Sequence, residues 1–547
     1  MAFHSLVFLC LGLKKVRLSL ALYAFLCNFA IVIFIFATMM DKKVLIIGNH
    51  PVIADITKQY RQRGDDIVFL NSYTDINEEK VTQCGEIFLL SDYYEIPIDA
   101  DNKTMSVLKF IANAYAPKAS YGKRLLCHLL VRSYALLHTI RLNGFRREIE
   151  ENLDVNVFTM EDQWCQFVAL NLDREPITKL SEKTVHLVIF GMSEVAEQVA
   201  INTAHVCHFP NYLQKSHSLR TRITVIDEAA IEKSQEWTQR YKHLFDNCFY
   251  RFVDTNKRPT IVAVSRPMYK DREDFVDIEW EFVSASAYNE LIRDKISQWS
   301  VDPSQQLTVV FAKDDLDEGM NNALHLPESI ASANVPVYVY MHSNEAFGLI
   351  NHSGNTPNII PFGMADYGYD INIPIVKMAK NVNYIYDRCY EENEKDWNGH
   401  LRFAVAIDEE KREELWTKKS GLKRMSNIYN AMTIGVKMRS MGFKDDEWDK
   451  LYDMSNEEVE TLAEIEHNRW SVEELILGWR PCTDSEQREV EADVKMKEIL
   501  KKRKIHYDLR AYNDLRPDGT GRPVQVYDRC LSACIPLIAK ESKGGGL

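Results

Sequence analysis

Eight residues near the C-terminal end of the sequence have types suited to holding a nucleotide-type ligand: His467, Arg469, Trp470, Trp479, Arg480, His506, Arg510 and Tyr512. Trp470, Trp479 and Tyr512 offer flat faces, and a base stacked on an aromatic ring gains about 1–3 kcal/mol. Arg469, Arg480 and Arg510 carry a planar fork that fits phosphate oxygens. His467 and His506 could read polar edges. The competing reading is structural. A small module needs its large aromatics for stability, so Trp470 and Trp479 would form its core and His467 would brace it. Arg469, adjacent to both, is expected nearer the surface.

No catalytic constellation accompanies these residues. The sequence has no Gly-x-Ser-x-Gly, no Walker loop and no His-Glu-x-x-His. Glu464 and Glu466 flank His467, but Glu464/His467 is an ordinary helical spacing, and no nucleophile or metal motif supports them. No catalytic or metal-ligating residue is assigned. A non-enzymatic protein is the expectation.

A helix must position the first of these side chains. Leu462, Ile465, Trp470, Leu475 and Leu477 alternate with Glu464, Glu466, Glu473 and Glu474 at roughly helical spacing. Ser455 followed by Glu458 is a capping box that starts the helix, and Gly478 stops it. His467 and Trp470 are three apart and share a face. Downstream come Gly478-Trp479-Arg480-Pro481 and His506-Tyr507-Asp508-Leu509-Arg510-Ala511-Tyr512-Asn513-Asp514-Leu515, then Asp528 ahead of a closing helix over Cys530–Ala539.

This pattern resembles the RyR domain, the small helical module named after the repeats of ryanodine receptors. The matching positions are His467/Trp470, Gly478/Trp479, His506, Leu509, Tyr512, Leu515 and Asp528. Tyr507 and Ala511 stand where the family has prolines, so the rigidity of that turn is the feature to check. The resemblance covers about residues 455–540 and implies uptake of an adenine-type nucleotide or related signal.

Two α/β units precede it. Lys43–Gly48 reads as a buried strand running into a glycine, followed by a helix to Arg63, a stop at Gly64, and a strand over Ile67–Leu70. Glu86–Leu90 and Leu125–Val131 continue the series, with His128 as a core or edge histidine. This is the β-α-β opening of a dinucleotide fold. Only Gly48 survives of the three glycines that a pyrophosphate needs, and Asn71 stands where an acid would bind ribose. The first unit therefore reads as a fold without a nucleotide.

The second unit repeats the theme: Val185–Gly191, a helix opened by Met192-Ser193-Glu194, and Arg222–Asp227, with an insertion around 209–219. Gln306–Phe311, Asp314–Leu324 and Val335–Tyr340 complete its sheet as strand, helix and strand. Gly191, Ser193 and Asp227 are candidates for a cofactor such as NAD(H). On Ile46-Ile47-Gly48, Ile189-Phe190-Gly191 and Val225-Ile226-Asp227, the two units are similar to tandem TrkA N-terminal (RCK-like) domains. That family regulates potassium channels and transporters.

The expected fold class is α/β: two tandem Rossmann-like, doubly wound parallel sheets, then a mainly α-helical RyR module. The divisions are 41–175, 180–345, a loop-rich linker over 346–374, a helical region over 375–454 and the module over 455–540. Helices are expected at Ile375–Tyr390, Glu409–Trp416 and Ser426–Met441, with Asp445–Tyr452 as a solvated connector. Tyr384, Tyr386, Tyr390 and Trp416 read as core.

At 547 residues and a formal charge of −13, the chain has room for two to four domains, and the acidic balance argues against nucleic acid as its main partner. The eleven cysteines show no Cys-x-x-Cys and no zinc spacing, so they read as reduced core thiols. Residues 18–40 are apolar and long enough to span a membrane. Either they anchor the chain at the inner membrane with a cytoplasmic body, or translation starts at Met39 or Met40 and the protein is cytoplasmic. The flanking charges alone would orient the body outward. The leading expectation is a ligand sensor linked to ion transport or signalling, acting as a homo-oligomer. The alternatives are an NAD-dependent enzyme using the second unit and an RyR-mediated interaction scaffold.

Overall fold

The computed structural model describes residues 43–119, 124–213, 218–255, 260–265, 274–342, 357–371, 375–391, 406–517 and 523–540. The apolar stretch 18–40 lies outside them. Among the described residues no helix is long and apolar enough to cross a membrane. The chain divides into two compact units. One holds residues up to 133 together with 146–157; the other holds 134–145 and everything from 158 onward.

The first unit is built on a parallel sheet of β1 (Lys43–Ile47), β2 (Asp66–Leu70), β3 (Glu86–Leu90), β4 (Leu125–Leu130) and β5 (Leu153–Phe158) in the order β2-β1-β3-β4-β5. Apolar runs such as Val44–Ile47 and Ile87–Leu90 are buried throughout, as strands covered on both faces require. Helices α1 (Ile53–Arg63) and α2 (Pro97–Ala119) belong to the crossovers. His128 donates or accepts at Glu86 (2.8 Å) and Asn156 (3.3 Å) and stacks on Phe88. It is a satisfied core histidine.

The second unit carries a larger sheet. Its strands are β6 (Thr184–Phe190), β7 (Thr221–Asp227), β8 (Phe249–Asp254), β9 (Thr260–Ser265), β10 (Ile278–Ser284), β11 (Gln305–Phe311), β12 (Pro336–Tyr340) and β13 (Asn358–Phe362). Their order is β13-β12-β11-β6-β7-β10-β8-β9. Seven run parallel, and β9 joins β8 antiparallel at the edge. The sequence reading found β6, β7, β11 and β12. It passed over β8 and β10, whose apolar runs are broken by Arg251, Glu279 and Glu281. Glu281 is buried, and Arg251 donates to it at 3.1 Å. Strand β13 lies inside the stretch read as a linker.

Both sheets turn the same corner. Gly48 follows β1, and its N–H donates to Leu70 O of β2 at 3.1 Å. Gly191 follows β6, and its N–H donates to Ile226 O of β7 at 2.9 Å. Both have left-handed φ, +128° and +105°. A Cβ at Gly48 would collide with Leu90 O, and one at Gly191 would sit 2.6 Å from Ala312 O. Each glycine thus allows the chain to leave its strand where the strand order reverses.

Helices of the second unit include α3 (Tyr134–Asn143), α4 (Met160–Leu170), α5 (Glu194–Val206), α6 (Ala230–Arg240), α7 (Ile375–Glu391), α8 (Glu409–Thr417), α9 (Gly421–Met432), α10 (Ile434–Ser440), α11 (Asn456–Ile476), α12 (Asp484–Ala492), α13 (Val526–Ala533) and α14 (Ile535–Lys540). The single helix expected over 426–441 is two. Thr433 N–H donates to both Tyr429 O and Asn430 O, and its hydroxyl also donates to Asn430 O, where α9 gives way to α10. Asp445–Tyr452 is not wholly solvated either, since Leu451 in its 3-10 turn is buried. Tyr384 and Trp416 are core, whereas Tyr386 is exposed. Among the described residues every cysteine is buried and none is in a disulfide.

The C-terminal helices share one core with the second sheet and keep another to themselves. Val436, Val472, Leu475, Ile476 and Leu509 pack in one apolar cluster with Val185, Ile223 and Phe282 of the second sheet. A second cluster, including Val382, Ile385, Leu462, Ile465 and Ile538, binds the helices to each other.

Candidate functional site

Helix α11 starts as expected. The Ser455 side chain accepts from Glu458 N–H at 3.2 Å, and the Glu458 carboxylate accepts from Ser455 N–H at 2.6 Å. It ends in a Schellman motif: Gly478 N–H donates to Leu475 O (3.2 Å) and Trp479 N–H to Glu474 O (2.9 Å). The left-handed Gly478, φ +84°, folds Trp479 back toward the helix that carries Trp470.

The expected apolar and polar alternation of α11 fails in an informative way. Glu466, Arg469 and Glu473 are buried. Arg469 is 2% exposed, so its expected place near the surface is corrected. It is also no ligand contact in this arrangement. Its guanidinium donates to Glu466 at 2.8 Å and to Glu473 at 2.6 Å. Lys437 of α10 donates to Glu466 at 2.6 Å, and Ser426 of α9 to Glu473 at 3.0 Å. Burial would raise the Glu466 carboxyl, but Arg469 and Lys437 hold it down to about 2. The cause is solvation. Four charged side chains removed from water persist only where each meets an opposite charge.

The adjoining face of α11 carries the rings. His467 is buried. Its Nε2 donates to Arg510 O at 2.8 Å, and its Nδ1 lies 3.3 Å from Asp528. Both partners are acceptors, which favours the doubly protonated ring. Burial opposes that charge, yet Asp528 and the Arg510 carbonyl outweigh it and keep the pKa above the ordinary histidine value. His467 lies 5.5 Å from Trp470 and 5.7 Å from Tyr512, centroid to centroid. It braces the site, and Tyr512, 3% exposed, forms the floor beside it.

Trp470, Trp479 and His506 meet at the half-buried rim. His506 stands edge-on to both indoles, at 5.0 Å and 75° from Trp470 and 5.8 Å and 67° from Trp479. A two-stranded parallel ribbon of β14 (Arg480–Pro481) and β15 (Ile505–His506) sets this spacing. His506 Nδ1 accepts from Asp508 N–H at 3.2 Å, and burial lowers its pKa to about 4. It is therefore neutral and presents Nε2–H. The two histidines are thus shifted in opposite directions, His467 upward and His506 downward.

Glu474 was not singled out from the sequence. It lies one helical turn after Trp470 and hydrogen-bonds with it. Burial, then the neighbouring Glu473, push its carboxyl up to about 8. The i, i+4 spacing to Trp470 was the available signal. Asp528 belonged to the recognised pattern, but its contact with His467 could be seen only in three dimensions.

The other two arginines are engaged locally. Arg480 makes a two-pronged pair with Glu486, 2.7 Å on each side. Arg510 donates to Tyr507 O at 2.7 and 3.0 Å, with its guanidinium 4.5 Å from the Tyr507 ring centre. Lys497 lies equally close to that ring. Tyr507 thus stiffens the turn where a proline was expected.

At the sheet edge, Gly191, Ser193 and Asp227 do come together at the carboxyl ends of β6 and β7. Each already has a local task. Ser193 caps α5, accepting from Ala196 N–H at 3.1 Å, and donates to Ala312 O at 2.6 Å. Asp227 accepts from Ala229 N–H at 2.9 Å and lies 3.3 Å from Lys233. Protein-family models, curated proteins and solved structures were all compared with the chain, and none of them matches it.

Proposed function

We propose that this chain is a regulatory sensor that takes a flat-ring, nucleotide-type ligand at the rim formed by Trp470, Trp479 and His506. The observation that carries the reading is the meeting of these three rings beside a carboxyl, Glu474, that keeps its proton near neutral pH. Indole faces hold a base by stacking. The neutral carboxyl and His506 Nε2–H supply donors for its edge. The resemblance to RyR modules points to the same ligand class. Arg469 is enclosed in the helix bundle, and Arg480 and Arg510 have partners, so recognition falls on the ring more than on phosphate. Tandem α/β units like those of transport regulators suit a protein that passes this binding on to ion transport or signalling.

Thermal shift on the full chain tests the proposal with adenosine, AMP, ATP, NAD, NADP and cyclic dinucleotides. A ligand at about 100 times its dissociation constant adds about 2.7 kcal/mol to stability. The expected result is a shift that adenosine largely reproduces, that Trp479→Ala abolishes and that Asp227→Ala leaves intact. The reverse pattern would favour a dinucleotide enzyme at Gly191, Ser193 and Asp227. No shift with any of these ligands would end the sensor reading and favour a docking module.

A further inference from the structure

The first unit has hydrogen-bond donors of its own gathered at the carboxyl edge of its sheet, where the strand order reverses between β1 and β3. The ladder of α1 begins with Ile56 N–H to Val52 O at 3.0 Å. Val52 caps the helix without a side-chain acceptor. The Ile53 amide donates to His50 O at 3.1 Å, so the Ala54 and Asp55 amides stay open, at the positive end of the helix dipole.

His50 stands at that opening and is 6% exposed. Its Nδ1 accepts from Val52 N–H at 3.3 Å, so the neutral ring carries its proton on Nε2. Burial, then the charge of Arg132, hold the ring neutral, with a pKa of about 3. Nε2–H has no partner among the described residues. The His50 ring packs edge-to-face on Tyr93 at 5.2 Å, and the Arg132 guanidinium lies 5.2 Å from the same Tyr93 ring centre. Arg132 donates to the carbonyls of Asp92 and Glu95, and it forms no ion pair among the described residues.

Four carboxylates at this edge each accept at least one hydrogen bond. Asp101 accepts from Ser91, Arg132 N–H and Ser133 N–H. Asp92 accepts from Tyr94 N–H, Glu95 from Lys103, and Asp55 from Gln59. What remains unmatched is the two α1 amides, His50 Nε2–H and the charge of Arg132, together with one buried oxygen of Glu95, Oε2. Tyr94, beside Tyr93 at 5.5 Å, and Ile96 are 74% and 66% exposed.

We propose that the first unit binds a small organic oxyanion whose head sits between the α1 N-terminus, His50 Nε2–H and Arg132, with its apolar or aromatic body against Tyr94 and Ile96. The missing phosphate-loop glycines rule out a pyrophosphate laid along the backbone, but they do not affect a compact head held by side chains. The head is a phosphate or a carboxylate, both served by the same donors.

Isothermal titration of the full chain with inorganic phosphate, phenyl phosphate and benzoate tests this. Phenyl phosphate or benzoate should bind more tightly than inorganic phosphate, and the stronger of the two identifies the head. His50→Phe keeps the ring against Tyr93 and removes the donor. It should weaken binding by about tenfold, the worth of one charge-assisted hydrogen bond, read well below a melting temperature that falls somewhat because Val52 N–H loses its acceptor. Arg132→Gln should weaken it at least as much, and Trp479→Ala, in the other unit, should leave it alone. No heat from any of the three anions, or affinity unchanged by His50→Phe, would overturn the proposal. Loss of the Trp479-dependent shift would not bear on it.

Discussion

Glu474 ties the chemistry of the rim to pH. Its carboxyl is pushed up to about 8 by burial and by Glu473, against an unfolded value of about 4.3. A carboxyl raised on folding favours the fold fully below its unfolded pKa, and that contribution is lost as pH rises through the folded one. Thermal melts should therefore show stability falling between about pH 5 and 8. Glu474→Gln should flatten that slope and melt higher than the parent at pH 8. Equal slopes in the two proteins would show that Glu474 titrates normally. His467, raised by Asp528 over the cost of burial, acts in the same direction from about pH 6.5 upward, so a residual slope is expected. Residue types alone identified Trp470, Trp479 and His506 as potential ring partners. They could not tell that the pKa of His467 is raised behind the rim while that of His506 is lowered on it, since each shift follows from contacts made by distant segments.

At the scale of the element, α11 shows how sequence pattern can mislead. Ser455, Glu458 and Gly478 mark its ends, because caps are local chemistry. Its glutamates read as a solvated face, yet Glu466 and Glu473 are buried against α9 and α10 around Arg469. That placement makes Arg469→Ala a stability variant. It should cost about 3–5 kcal/mol in urea unfolding, because buried Glu473 loses its charged partner and buried Glu466 keeps only Lys437. A variant of near-parental stability that lost ligand affinity would instead restore Arg469 to the binding surface. Helices α9 and α10 teach the same lesson: their apolar periodicity runs on through Thr433, and only the backbone bonds at Tyr429 and Asn430 divide them.

For the whole molecule, the C-terminal helices share a core with the second sheet through Val436, Val472, Leu475, Ile476 and Leu509. Residues 375–547 on their own would expose that cluster. Circular dichroism melts of this fragment should lack the sharp cooperative transition of the full chain, and a sharp one would show that the helices fold alone. The sequence by itself determined the parallel α/β character of both units, the glycines at which β1 and β6 end, and the caps of α11, because these rest on periodicity and short-range backbone chemistry. Only the tertiary structure decided that β8, β10 and β13 extend the second sheet, that Arg469 is internal, and that His50 and Arg132 share an edge. β13 was hidden among the turn formers around it, and the others depend on setting charge or polarity against a partner elsewhere in the chain, which no local pattern records.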